Sequence, residues 1–232
     1  MDFKMDDNTP DPADSRTLQQ KVFERLRRDI MLGRIKPGQS LTIRGLAQDL
    51  GVSAMPVREA LRRLVAERAI ELRDNRRVRI PSMTLNRFNE LVAARTILES
   101  EAAERALPYL TEDVITKLEL LDKETTRAEL SRNHDVWIER NFAFHACLYG
   151  VVPQSTFMPL IESLWLQIGP FLRRAIEADD SRYSVDRHLE ALAAIRTRDA
   201  MALRIAIEAD IRDGIQHIGN KLIRADAENC QT

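Results

Sequence analysis

The apolar residues between Thr42 and Ile80 change their period within a short stretch, and this limits what the chain can build. Leu46, Ala47 and Leu50 form one helical stripe behind Thr42, an N-cap residue, and Gly51 stops it. After Gly51-Val52-Ser53 a second stripe begins. Val57, Leu61, Leu64 and Val65 recur at i, i+4, i+7 and i+8, with Ser53 as N-cap and Pro56 in the first turn, where its missing N–H is harmless. The period then falls to two. Ile70 and Leu72 alternate, Asp74-Asn75 supplies a two-residue turn, and Val78 and Ile80 alternate again. Two short helices across a three-residue turn, followed by a hairpin, predict a helix-turn-helix with a wing.

A further helix precedes this unit. Val22, Leu26 and Ile30, with Phe23 beside them, share a face from Thr17 onward; Gly33 marks the stop and Lys36-Pro37-Gly38 a turn. Pro81 closes the module. Charge separates it from the rest. Residues 16–82 hold 16 Lys/Arg against 7 Asp/Glu, a net +9; residues 1–15 come to −4 and residues 83–232 to −6, so the whole chain is −1. A compact basic unit on an acidic partner points to a polyanion. The second helix is apolar on one side and carries Arg58, Arg62 and Arg63 off that side, which suits the major groove of duplex DNA. Its N-terminal N–H groups and the Ser53 hydroxyl suit a phosphate.

The remaining residues read as six helices, over roughly 84–107, 111–131, 134–150, 154–176, 181–197 and 199–222. Pro159 and Pro170 predict a late start or a kink in the fourth. With 44% apolar and 5% aromatic residues, the chain suits a helical protein better than a β-sandwich. No apolar run is long enough to span a membrane, and the N-terminus lacks a secretory h-region, so a cytoplasmic protein with no membrane partner is expected. Cys147 and Cys230 stand far apart, which argues against a cysteine zinc site or a disulfide scaffold. Phosphate-loop, dinucleotide, nucleophile-elbow and H-E-x-x-H motifs are absent, so no enzyme is expected.

The run from Val22 to Ile80 resembles the winged helix-turn-helix of GntR-family bacterial transcription regulators. The matching residues are I30-x-x-G33-x-I35-x-P37-G38-x-x-L41 and L46-A47-x-x-L50-G51-V52-S53-x-x-P56-V57-R58-E59-A60-L61-R62-x-L64. The resemblance implies operator contacts from Arg44, Ser53, Ala54, Met55, Arg58, Asp74 and Asn75; the neighbouring Arg62 and Arg76 join this DNA-binding set. Three departures stand out. Ala54-Met55 replaces a common Arg-Thr, so Met55 offers an apolar contact such as a thymine methyl. Asn75 replaces a wing-tip glycine, and Glu67-Arg68-Ala69-Ile70 replaces Glu-Gly-Leu.

The acidic part resembles the all-helical FCD effector domain of the FadR branch, in its six-helix, VanR-like form. The residues are V92-x-x-R95-x-x-x-E99, F142-x-F144-H145-x-x-L148, L164-W165 and H188-x-x-A191-L192-x-A194-I195-x-x-x-D199. The resemblance implies a divalent metal held by one Asp and three His. The corresponding positions here are Asn141, His145, His188 and Asp210, a set suiting Zn, Ni, Mn or Fe with open positions for water or ligand. Ordinary buried histidines satisfied by Asn141 and Asp210 are the alternative. His217 and His134 are weaker candidates. Arg95 lies on an inner stripe with Leu91, Leu98 and Ala102, so it needs a partner. Glu99, one turn on, is the nearest, and an anionic effector is a further one, so the effector set is Arg95, Asn141, His145, His188 and Asp210. Arg173 or Arg174 near Trp165 offers the same charge.

The expected protein is mainly α, with an N-terminal winged helix-turn-helix (16–82) and a C-terminal all-α antiparallel bundle (83–225), between tails at 1–15 and 226–232. The resemblance implies a cytoplasmic, nucleoid-associated homodimer that binds double-stranded DNA at a palindromic operator and senses a small carboxylate, with repression as the expected sign. The alternative is a metal-dependent hydrolase, or a metal-binding helical protein, with a basic interaction module.

Overall fold

The computed structural model describes residues 17–37, 39, 41–73, 77–178, 187–216 and 219–223. The expected tails, the wing-tip residues Asp74, Asn75 and Arg76, and His217 lie outside these. Helix α1 (Leu18–Met31) starts on Thr17, whose hydroxyl accepts from the Gln20 N–H. Strand β1 (Leu41–Thr42) leads into α2 (Ile43–Asp49), capped by the Thr42 side chain on the Gly45 N–H. Then come α3 (Ala54–Ala66), β2 (Glu71–Arg73) and β3 (Arg77–Arg79).

The sheet order is β1-β3-β2, antiparallel throughout. The sequence patterning missed β1, because two residues are too few to show a period. The turn needs a correction. Arg73 pairs with Arg77, so three residues, Asp74 to Arg76, lie between the strands rather than two. Val22, Leu26, Ile30, Val57, Leu61, Leu64, Ile70, Val78 and Ile80 are buried together as the core of this unit.

The second unit begins with α4 (Leu85–Ala106), capped by Thr84 and ended by a 3₁₀ turn (Leu107–Tyr109) holding Pro108. It continues through α5 (Glu112–Leu130), α6 (His134–Tyr149) and α7 (Phe157–Ala178). The late start of α7 places Pro159 in its first turn, while Pro170 stays inside the helix. Helix α8 (Arg187–Thr197) and α9 (Ala200–Ala209) follow. Here the expectation of one helix over 199–222 is corrected. The α geometry ends at Ala209, and residues Asp210–Gln216 form a π-helix, with helical turns again at 219–223. Apolar spacing cannot announce this widening, and Gly214 within it weakens the α alternative.

The two units are packed against each other through α1 and α7. Leu166 on α7 is buried among the residues of the winged unit. Gly33 has φ +67°, and a Cβ there would collide with the Arg173 side chain. At Gly169 a Cβ would collide with the Met31 carbonyl oxygen, so backbone meets backbone where α7 passes the end of α1. Ion pairs rim the contact. Arg27 reaches Glu162 on α7 at 3.0 Å and, within its own unit, Glu67 at 3.6 Å. Arg28 and Arg34 both meet Glu139 on α6.

Gly169→Ala is therefore expected to destabilise the chain by about 1–3 kcal/mol, as overpacking of a closed contact does. The check is a urea unfolding midpoint. An unchanged midpoint would contradict the close approach of α7 to Met31.

Candidate functional site

Two regions carry chemistry. The first is the outer surface of the winged unit. Helix α3 buries Val57, Ala60, Leu61 and Leu64 and turns Ser53, Ala54, Met55, Arg58 and Arg62 outward; Arg44 on α2 is exposed beside them. Met55 is 67% exposed, a large apolar side chain on a basic surface. Ser53 holds the N-cap position, but its hydroxyl makes no capping hydrogen bond, a departure from its expected capping role. Arg63 turns back to cover the Phe23 ring at 3.5 Å, so it contributes to packing.

The second region is a polar centre inside the helical unit. Glu99 on α4 is fully buried and receives the Arg95 Nε–H at 2.6 Å and the Trp165 indole N–H at 2.9 Å. The Arg95–Glu99 pair read from the sequence is thus present, with Trp165 as an added donor. Arg95 Nη1 and Glu99 Oε2 are buried without a hydrogen-bond partner among the described residues. Arg173, in contrast, does not turn toward this centre. It pairs with Asp135 at 2.5 Å and Glu177 at 2.6 Å, close to Gly33.

Beside Glu99 the histidines gather. His145 Nε2 lies 3.3 Å from Asp210 Oδ2, and its Nδ1 lies 3.0 Å from the Tyr149 hydroxyl. His188 Nδ1 lies 3.3 Å from Asp122 Oδ1. The two imidazole centroids are 5.2 Å apart, and Phe144 stacks on His188 at 4.0 Å. Ligating atoms of His145, His188 and Asp210 all fall within 4.8 Å of one another. Burial opposes the Asp210 carboxylate. The hydrogen bond from His145 and the nearby His145, His188 and Arg95 charges outweigh that burial and hold its pKa below the usual carboxylate range. Burial pushes the Tyr149 phenol well up, and the Glu99 and Asp210 charges add to this, so it stays a hydroxyl.

Of the four positions implied as metal ligands, three meet. Asn141 sits one turn before His145 on α6, half-buried on the same side of the helix. Reading the sequence missed two members, Tyr149 and Asp122. A signal was available for Asp122, because it falls in the buried stripe of Ile115, Leu118 and Thr125 on α5. The donor set of two imidazoles and a carboxylate, closed off by an aromatic wall, is chemically suited to a divalent transition ion.

Two family models cover the winged unit and the helical unit. Residues 18–80 match the bacterial regulatory proteins of the gntR family, and residues 90–213 match the FCD domain. The chain is 30% identical over 191 residues to the HTH-type transcriptional regulator McbR of Escherichia coli (strain K12), covering 81% of this chain and 86% of that one. It is 31% identical over 220 residues to the uncharacterized HTH-type transcriptional regulator BphR of Paraburkholderia xenovorans (strain LB400), covering 88% and 89%. The HTH-type transcriptional repressor GlaR of E. coli (strain K12) is 27% identical over 185 residues, covering 75% and 83%. The solved structure of E. coli McbR/YncC superposes with a TM-score of 0.84 at 26% identity, over 89% of this chain and 99% of that one. These relatives are named as transcription regulators, so the hydrolase alternative is set aside. The chain belongs to the gntR family of bacterial regulatory proteins, in its FCD-domain form, and is a DNA-binding transcription regulator rather than an enzyme.

Proposed function

We propose that this regulator is a cytoplasmic homodimeric repressor, and that a small carboxylic acid held with a divalent ion in the bundle sets its grip on a palindromic operator. The observation that carries the reading is the buried meeting of His145, His188 and Asp210 beside an Arg95 whose Nη1 lacks a partner. A bundle core gains little from gathering two histidines, three carboxylates and a guanidinium unless they bind something. Zn, Ni, Mn or Fe would sit between His145, His188 and Asp210, with Asn141 one turn away as a neutral fourth donor. The ion would supply positive charge and open positions for a carboxylate oxygen. Arg95 would take the opposite end of the acid through its remaining N–H groups.

On the DNA side, Arg44, Arg58 and Arg62, with Ser53, Ala54 and Met55, would face the operator, joined by the wing-tip residues Asp74, Asn75 and Arg76. Two elements lead from the polar centre to this surface. Helix α7 presents Trp165 to Glu99 and Leu166 and Gly169 to the winged unit. Helix α6 carries His145 at one end and Glu139, bound to Arg28, nearer the other. An acid that fits one disposition of these helices better than another would shift the spacing of the two readers. Repression as the sign agrees with GlaR, whose name records that role.

Arg58→Ala is expected to weaken operator binding by about 1–3 kcal/mol. The check is a gel-shift or anisotropy titration on the operator duplex, and wild-type affinity would contradict the assignment of α3 as the reading helix. Wild-type binding is also expected to fall steeply as salt rises, because several phosphates are neutralised. A flat salt series would count against the basic surface. Metal analysis of tag-free protein, never exposed to chelator, is expected to find about one divalent ion per chain, lost in His188→Ala. Equal metal content in the two proteins would sink the bundle site.

A further inference from the structure

Asp122 has no role in the ligand set implied by the family resemblance, yet it is buried at the edge of the polar centre. It lies on α5, in a stripe otherwise made of Ile115, Leu118, Leu121 and Thr125. Its Oδ1 is 3.3 Å from His188 Nδ1. A carboxylate in that position costs desolvation and gives nothing to apolar packing. What it can do is choose between the two neutral forms of the His188 ring.

We propose that Asp122 is a positioning residue for the metal site: it accepts the Nδ1–H of His188 and so leaves the Nε2 lone pair to serve the ion. The inference rests on the metal reading given above. Three observations support it. Among the described residues, the ligating atoms that come within 4.8 Å of one another belong to His145, His188 and Asp210, and Asp122 stands outside that group. Phe144 stacks on the His188 ring at 4.0 Å and 14°, so the ring plane is held and only the proton position remains to be set. His145 presents its edge to His188 at 74°, with Nε2 toward Asp210, so both rings have one nitrogen for the centre and one for an outer partner, Tyr149 or Asp122. A ligating imidazole that gives its far N–H to a carboxylate is fixed in orientation and is a stronger donor to the metal.

The test uses the full chain, freed of metal, titrated with zinc against a chromophoric chelator. Wild type, Asp122→Asn and His188→Ala are compared. Asp122→Asn keeps the shape and an acceptor oxygen but removes the charge. It is expected to bind zinc at least about tenfold more weakly, the usual cost of losing an outer-shell carboxylate. A merely structural Asp122 would lower the unfolding temperature and leave zinc affinity of the folded protein unchanged, and that result would overturn the proposal. A second measurement does not depend on Asp122→Asn folding. Long-range ¹H–¹⁵N spectra of metal-free wild type near pH 8, with His188 assigned by its loss in His188→Ala, are expected to show the Nδ1–H form. The Nε2–H form would overturn the proposal. Failure of wild type to bind zinc would instead overturn the metal reading itself, and the affinity series tells the two apart.

Discussion

A fully buried carboxylate organises this protein. Glu99 sits at the middle of α4 with no access to water, and it is tolerable there because Arg95 and Trp165 both donate to it. Arg95 is one turn away on the same helix. Trp165 comes from α7, so the Glu99–Trp165 bond fixes how those two helices face each other. Removing Arg95 would strand a charge in an apolar bundle, which is far costlier than the bond itself is stabilising. The histidines are arranged around this fixed point. Helix α6 brings His145 and Tyr149, α8 brings His188, α5 brings Asp122, and the start of the π-helix brings Asp210.

The same helix that closes the polar centre also carries the winged unit. Trp165 and Leu166 are adjacent in sequence and point to different cores, one to Glu99 and the other to the residues of the winged unit. Three residues further on, Gly169 lets the backbone of α7 touch the end of α1. No flexible tether separates the polar centre from the winged unit at this point. A small rotation of α7 would be felt at α1 without intermediate slack, because close-packed contacts transmit displacement rather than absorb it. Arg28 and Arg34 on Glu139 give α6 a second hold on the same surface.

Much of the fold was legible from the residues, and the exceptions have physical causes. Helix starts were visible because Thr42, Thr111 and Asp199 cap their own helices through side-chain oxygens. The Arg95–Glu99 pair was visible as an i, i+4 spacing on an apolar stripe. Within the site, Asn141, His145 and Tyr149 follow one another at i, i+4 spacing on α6; joining His188 and Asp210 to them needed the family resemblance, because tertiary packing across separate helices leaves no periodic trace. Asp122 and Tyr149 left only local signals, a polar residue within an apolar stripe of α5 and an i, i+4 step from His145 on α6, and neither spacing names the partner that gives the residue its place. The contact of Gly169 with Met31 was hidden because a glycine inside a helix looks like lowered propensity and not like a landing surface. The π-helix was hidden because its apolar residues continue the spacing of α9.

The polar centre and the DNA-reading surface form one mechanical unit joined through α7. Hydrogen–deuterium exchange of the full chain, with and without saturating zinc, tests this most directly. If α7 couples them, zinc slows exchange not only in α6 and α8, which carry the histidines, but also in α7 and in α1 (Leu18–Met31). Protection confined to α6, α8 and the Asp210 region, with α1 exchanging as before, would contradict it.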